Sequence, residues 1–298
     1  MRSGDPESRT KGSSRSTGLR PRVVIALALP IATYRRQGRG SRCFSHRLRT
    51  AFRPLAIGAS ESRLEAMSPR RVSTPRSPAA RKAREPRSPL PPSGVVLFDA
   101  VELEPESELA GTAFCSLSLA GQDADSMTFS QCRFRGADLS GCRLDQVTMT
   151  DCLVTDSSLA NLRADGGSMT RVQLSQCRMT GLNWADGVVR DVAIAECRAD
   201  LSSWRMTKFA AVSFVECNLS GADFTNADLS GAVFRDCDLT GAVFHHASME
   251  GARFRGCNLV GVGDLSNWKG AAVHHTDLMT LSYGLARAAG IRIEDEDG

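Results

Sequence analysis

The 298-residue chain lacks an apolar run long enough to cross a membrane. The run Val23 to Ala32 has ten residues, against the roughly 20 that a spanning helix requires. It follows Arg20 and Arg22, as a signal-peptide core would, but Arg35, Arg36, Arg39 and Arg42 come directly after it. The chain also has no glycine-rich phosphate loop and no nucleophile motif. That removes the sequence grounds for nucleotide chemistry or covalent catalysis. A further absence is positional. Between Thr112 and Cys257, one position in every five carries no charge at all.

That position belongs to a five-residue unit repeated without a break. Stepping back by five from Leu259 reaches Phe114 through 30 positions, and every one is apolar. The uncharged position lies two residues before each of them. Every Asp, Glu, Lys and Arg of the region falls at one of the other three places. A period of five suits neither standard element. In a strand, residues five apart face opposite sides, and in a helix they are well separated around the axis. All the apolar residues share one interior only if the chain turns a corner in every unit. That is a solenoid, whose coils bury their apolar side on one another.

The residue types give the number of sides. Cys177, Cys197, Cys217, Cys237 and Cys257 are spaced by 20, as are Phe214, Phe234 and Phe254, and Leu219, Leu239 and Leu259. A 15-residue coil would mix Phe and Leu in one column. A 20-residue coil has four sides and stacks like on like. Thirty units then make seven and a half coils, roughly 36 Å long at the spacing of adjacent strands.

The units Ala137-Asp138-Leu139, Ala222-Asp223-Phe224 and Ala227-Asp228-Leu229 resemble the motif of the pentapeptide-repeat family. The resemblance covers residues 112–259 and implies an all-β solenoid, a right-handed quadrilateral β-helix. No register-breaking insertion occurs, so the rod is expected to lack large loops.

Charge divides the chain. Residues 1–94 hold 21 basic and 5 acidic residues, and residues 95–298 hold 16 basic and 28 acidic. The basic part is rich in Arg, Ser and Pro and is read as a disordered tail. Its segment Pro86 to Pro92 reads as a stiff polyproline linker. Three readings of the tail stay open: a solvated extension, an arm for nucleic acid or anionic lipid, and sequence upstream of a start at Met67. Residues 95–111 read as an N-terminal cap, with Val95, Val96, Leu97, Phe98, Val101 and Leu103 covering the first coil. Glu102, Glu104, Glu106 and Glu108 keep that end polar. Residues 260–298 read as a C-terminal cap: Val260 to Val273 turns away from the rod, and a helix follows over about 277–289. Thr276 or Asp277 caps its start, Gly290 suits its end, and an acidic tail, Glu294 to Asp297, follows.

Eight of the ten cysteines, from Cys132 to Cys257, occupy the uncharged position, where a free thiol serves as a small apolar side chain. Buried reduced thiols fit a cytoplasmic protein. In the middle of the repeat, Leu162, Val172, Leu182 and Val192 enlarge that position, Gly167 and Gly187 empty it, and Trp184 and Trp204 lie one coil apart. This reads as volume compensation rather than a pocket. The pairs His245-His246 and His274-His275 would hold a metal only if the C-terminal segment folds back on the last coils. No metal and no other cofactor is expected.

The surface acids carry the functional expectation. Asp125, Asp145 and Asp165 fall in one column on successive coils, and Glu196, Glu216 and Asp236 in another. Like charges about 5 Å apart repel, so stability gives no reason to keep them. A mimic of spaced phosphates would. Arg143 and Arg163 lie beside the first column, and the repeat holds 17 acids against 13 bases, so solvated charge explains the columns equally well. A final helix after the repeats also resembles the Qnr and MfpA quinolone-resistance members of the family. There it joins two rods end to end, and the dimer mimics the B-DNA bound by DNA gyrase. The resemblance implies a non-enzymatic DNA mimic that binds DNA gyrase or another topoisomerase, with a homodimer through Leu278, Leu281 and Leu285. The alternative is a protein-protein interaction scaffold. Neither needs a small-molecule substrate or a membrane.

Overall fold

The computed structural model describes residues 84–90, 96–97 and 102–292. The expectations for residues 1–83, for Val95, Phe98 and Val101 and for Glu294 to Asp297 lie outside the described residues. The rest is a right-handed, four-sided parallel β-solenoid of about 8 turns followed by one helix.

Each unit is built the same way. Its central residue and the one two places earlier point inward, and the residues on either side of the centre point out. All 30 central residues are buried, and so are the earlier ones except Leu117 and Gln122, which are half-buried. The residue two places after the centre forms the corner. All 31 corners from Gly111 to Gly261 have φ between +52° and +75°. Extended residues alternate in and out, and the left-handed residue resets that alternation, so the next unit again begins inward. This is how a period of five keeps one side inside. A left-handed conformation costs a non-glycine residue about 1 kcal/mol, and more for a β-branched one. Accordingly, glycine holds twelve corners, and Val, Ile, Thr and Pro hold none. The corner amides bind the next coil, as Gly121 N to Ser140 O (2.9 Å) and Glu196 N to Val215 O (2.9 Å) show.

Thirteen strands form where neighbouring units are straightest: β1 (Val96–Leu97), β2 (Glu108–Ala110), β3 (Thr112–Cys115), β4 (Thr128–Ser130), β5 (Arg133–Arg135), β6 (Thr148–Thr150), β7 (Leu153–Thr155), β8 (Ser168–Ser175), β9 (Val188–Ala195), β10 (Lys208–Val215), β11 (Val233–Arg235), β12 (Arg253–Arg255) and β13 (Ala272–Val273). All pairings are parallel, and from Glu108 to Arg255 each residue faces the one 20 later. The stacking therefore follows the coil. Phe214 and Phe234 stack at 5.0 Å, Phe234 and Phe254 at 4.8 Å, and Phe224 and Phe244 at 5.2 Å.

The eight patterned cysteines are buried and free, and Cys115 is exposed. The Cys142 thiol donates to Leu119 O at 2.9 Å, and burial pushes its pKa up. Only accessible thiolate reacts. A bulky maleimide at neutral pH is therefore expected to label Cys115 within minutes and the eight buried thiols only after denaturation. Peptide mapping that finds Cys217 or Cys237 labelled as fast as Cys115 would refute the inward assignment.

The irregular middle is filled by compensation. Leu162, Val172, Leu182 and Val192 are all buried, as is Trp184, which is 1% exposed. A Cβ on Gly167 would stand 2.9 Å from Trp184 Cζ2, and one on Gly187 2.6 Å from Trp184 Cδ1. The glycines are the space the indole fills. The cavity remaining near Leu144, Leu162 and Trp184 is about 10 Å³ and wholly apolar, which leaves no room for a ligand.

Both ends are covered. At the first coil, Leu103 is buried, its amide donates to Gln122 Oε1 at 2.7 Å, and Glu102, Glu104, Glu106 and Glu108 are exposed. At the other end, Val260 to Val273 does not turn away as expected. It makes a further partial coil, one residue shorter: Arg253 faces Ala272 and Phe254 faces Val273. Trp268 closes the interior by stacking on Phe254 at 4.7 Å. Loss of the apolar spacing hid this coil, because one large indole replaces the smaller side chains. Among the described residues, no helix is long and apolar enough to cross a membrane.

Candidate interaction surface

The two acidic columns differ in kind. Asp125, Asp145 and Asp165 point out from the middle of a wall, where Arg side chains reach them. Arg143 Nε lies 2.9 Å from Asp145 Oδ2, Arg163 lies 3.6 Å from Asp165, and Asn183 donates to Asp165 Oδ1 at 2.7 Å. Asp145 Oδ1 also accepts the Asp165 amide at 3.2 Å. Asp125 is exposed, and Asp145 and Asp165 are half-buried. Glu196, Glu216 and Asp236 instead stand on successive left-handed corners, and all three are exposed. Gln176 closes one end of this column by donating to Glu196 Oε2 at 3.1 Å.

Other acids serve the backbone. Asp138, Asp223, Asp228 and Asp238 each accept the amide two residues on, at 2.9–3.1 Å. This is the Asx-turn contact, and it explains Asp or Asn just before the central residue. The Ser140 hydroxyl and amide hold the Asp138 carboxyl below its usual range.

Helix α1 runs Leu278–Ala288. Asp277 stands at its N-cap position but does not cap it. Its carboxylate accepts the Cys257 amide at 3.0 Å, while Thr280 Oγ1 accepts the Leu259 amide at 3.3 Å. The helix start thus satisfies amides that the last coil leaves open. The helix ends as expected, with Gly290 at φ +73° and amides of Gly290 and Ile291 bonded to Arg287 O and Ala286 O. Leu278, Leu281 and Leu285 do not share one environment. Leu281 is 4% exposed in the core, while Leu278 and Leu285 are about half exposed, beside Tyr283 and a fully open Met279. Of the histidines, His245 turns to Asp264 (3.3 Å) and His274 to Thr276 (2.8 Å). Among the described residues, no three metal-ligating side chains converge.

A third feature was not legible in the sequence. Residues 84–90, inside the span expected to be a disordered tail, lie against the rod. The Leu90 amide donates to Asp151 Oδ1 at 3.0 Å and the Arg87 amide to Asp191 Oδ1 at 3.4 Å. Between those corners, Arg171 grips Asp151 through two contacts of 2.7 Å, which holds the Asp151 carboxyl below its usual range. The signal available was weak: two acids flanking an arginine at 20-residue spacing, on corners that glycine would fit better.

The comparisons agree with the register. The family model described as pentapeptide repeats matches eight copies, over residues 118–152, 207–241 and 217–256. No curated protein sequence matches. Among solved structures, a trypsin-treated variant of QnrB1, a plasmid-mediated fluoroquinolone resistance protein, is 17% identical, covers 67% of this chain and 97% of its own, and has a TM-score of 0.26. HetL, involved in heterocyst differentiation regulation in Nostoc sp. strain PCC 7120, is 18% identical, with coverages of 57% and 89% and a TM-score of 0.22. Rfr23 from Cyanothece 51142 is 13% identical, with coverages of 60% and 91% and a TM-score of 0.14. Values of this size say nothing of partners. The matched segments lie within the unbroken five-residue register from Phe114 to Leu259, so this part of the chain is built of pentapeptide repeats.

Proposed function

We propose that the protein is a non-catalytic cytoplasmic rod that works by presenting its outer walls to a protein partner. The observation that carries this is the placement of the polar groups. They stand on flat walls and corners, and many are already committed to arginines or backbone amides, whereas catalysis needs acids and bases converging in a concave site.

A second reading, a DNA mimic that binds DNA gyrase or another topoisomerase, is favoured by Glu196, Glu216 and Asp236, exposed on consecutive corners. A supercoiling assay with DNA gyrase, with and without a quinolone, separates the two. Inhibition or protection that is lost in Glu196→Gln/Glu216→Gln/Asp236→Asn supports the mimic, and no effect at tens of micromolar leaves the scaffold reading.

The mimic would require a longer rod, which α1 could supply by pairing with α1 of a second copy across a two-fold axis. Leu285→Glu is then expected to turn a dimer into a folded monomer in sedimentation. Leu281→Glu is expected to lower the melting temperature instead, because it removes the plug of the last coil. A monomeric unmodified protein at tens of micromolar would discard the dimer.

A further inference from the structure

The strap formed by residues 84–90 has a period of three. Pro86 and Pro89 are its half-buried residues, while Arg84, Glu85, Arg87, Ser88 and Leu90 are exposed. Its two amide contacts to the rod, from Arg87 and Leu90, are also three residues apart. A period of three with no internal hydrogen bonds is that of the polyproline II helix, whose backbone amides stay free for outside acceptors.

The acceptors match that period. Asp151 and Asp191 occupy the same corner two coils apart. Two coils advance about 9.6 Å at the parallel strand spacing, and three polyproline II residues advance about 9.3 Å. A peptide lying along the rod therefore meets an acceptor once per turn and presents a proline to the wall once per turn. Across β9, β10 and β11 the wall's outward residues include Ala193, Ser213, Val215 and Val233, and a hollow of about 230 Å³ beyond Pro86 ends at Arg235. Asp151 and Asp191 are each 6% exposed. Arg171 fixes the Asp151 carboxylate by a bidentate contact and is a positioning residue for it.

We propose that this wall and its Asp151–Arg171–Asp191 corner form a recognition groove for a polyproline II segment with prolines three residues apart, and that residues 84–90 occupy it in cis. The groove uses none of the Glu196, Glu216 and Asp236 carboxylates, which stand on the corner at the far edge of the same wall, and nothing of α1, so it stands whether or not either reading of the rod's partner holds. Recognition draws on the low entropy of a preformed peptide, with the pitch of the coils setting the register.

The test is a titration of a labelled synthetic peptide of residues 80–94 into the full-length chain. The unmodified chain is expected to bind it weakly, because the tethered strap competes at high effective concentration. Pro86→Ala/Pro89→Ala, which changes nothing in the rod, is expected to free the groove and bind the peptide at least tenfold more tightly. Adding Asp151→Gly/Asp191→Gly is expected to abolish that binding. Glycine is native at twelve other corners, so an unchanged melting temperature will show the rod intact. A control peptide with its prolines moved to a two-residue spacing is expected to lose at least tenfold. As a second measurement, trypsin is expected to cut Arg87–Ser88 at least tenfold faster in the proline variant than in the unmodified chain. Failure of the proline variant to bind, undiminished binding after the Asp→Gly changes, or equal binding of the respaced peptide would each overturn the proposal.

Discussion

Phe234→Asp is expected to unfold the rod locally, in its C-terminal coils. Phe234 is fully buried and stacked between Phe214 at 5.0 Å and Phe254 at 4.8 Å. The substitution removes an aromatic ring from a close-packed column and puts a carboxylate where no donor waits. Losing the ring alone costs about 3–5 kcal/mol, and burying an unpaired charge adds several more. Each coil rests only on its neighbours, so the damage spreads to the coils on both sides. The melting temperature is expected to fall by more than about 10 °C. Thr225→Asp, on an outer wall one residue past Phe224, is expected to change it by only a degree or two. Its column neighbours are Arg205 and His245, and its amide is already held by Asp223 at 2.9 Å. Similar melting temperatures for the two variants would defeat the assignment of inside and outside.

Gly187→Val is also expected to destabilise the rod, and for the opposite reason. The first carbon added there would stand 2.6 Å from Trp184 Cδ1 and 2.7 Å from Gly167 O. One neighbour is a large buried ring and the other is backbone of the preceding coil, so neither yields cheaply. Overpacking of this kind costs about 1–3 kcal/mol or more. Trp184→Leu alone is also expected to destabilise, because it opens a cavity. Combined, Gly187→Val and Trp184→Leu are expected to recover most of the loss, since the two residues share one volume. Thermal melts of the four proteins in the cycle decide it, and purely additive losses would show that Gly187 is required for its backbone rather than for the indole.

The repeat was legible because it is a matter of local spacing. Thirty apolar positions in one register, with cysteine and phenylalanine columns 20 apart, leave one geometry in which all face inward. That each unit turns a corner was legible, but its place was not: the twelve glycines and the absence of β-branched residues there show as a pattern only once the left-handed turn is known. The extra coil after Leu259 was not. Its single Trp268 fills by size what the repeat fills by number, and a one-residue deletion breaks the spacing on which the reading depends.

The candidate surface was legible only as columns. Spacing puts Asp125, Asp145 and Asp165 in line, and it does the same for Glu196, Glu216 and Asp236. Which column stays free depends on how far side chains from adjacent positions reach. Arg143, Arg163 and Asn183 reach the first, on a wall, while the second, on its corners, stays exposed at all three acids even where Gln176 reaches Glu196. The helix shows the same division. Its apolar stripe and its terminal glycine were readable, but the stripe alone did not say which leucine would plug the rod. Leu281 does so because Asp277 and Thr280 bond the amides of Cys257 and Leu259 and set the helix's rotation.

Local periodicity, then, determined the solenoid, its four sides, its interior and the place of its thiols, because burial and strand alternation act over a few residues and repeat. Contacts between residues far apart in sequence were decided only by the folded chain. The strap lies 61 residues from Asp151 and 104 from Asp191 at its two hydrogen bonds. Nothing local connects them. The acceptors fall at the pitch of a polyproline helix only after the coils have stacked.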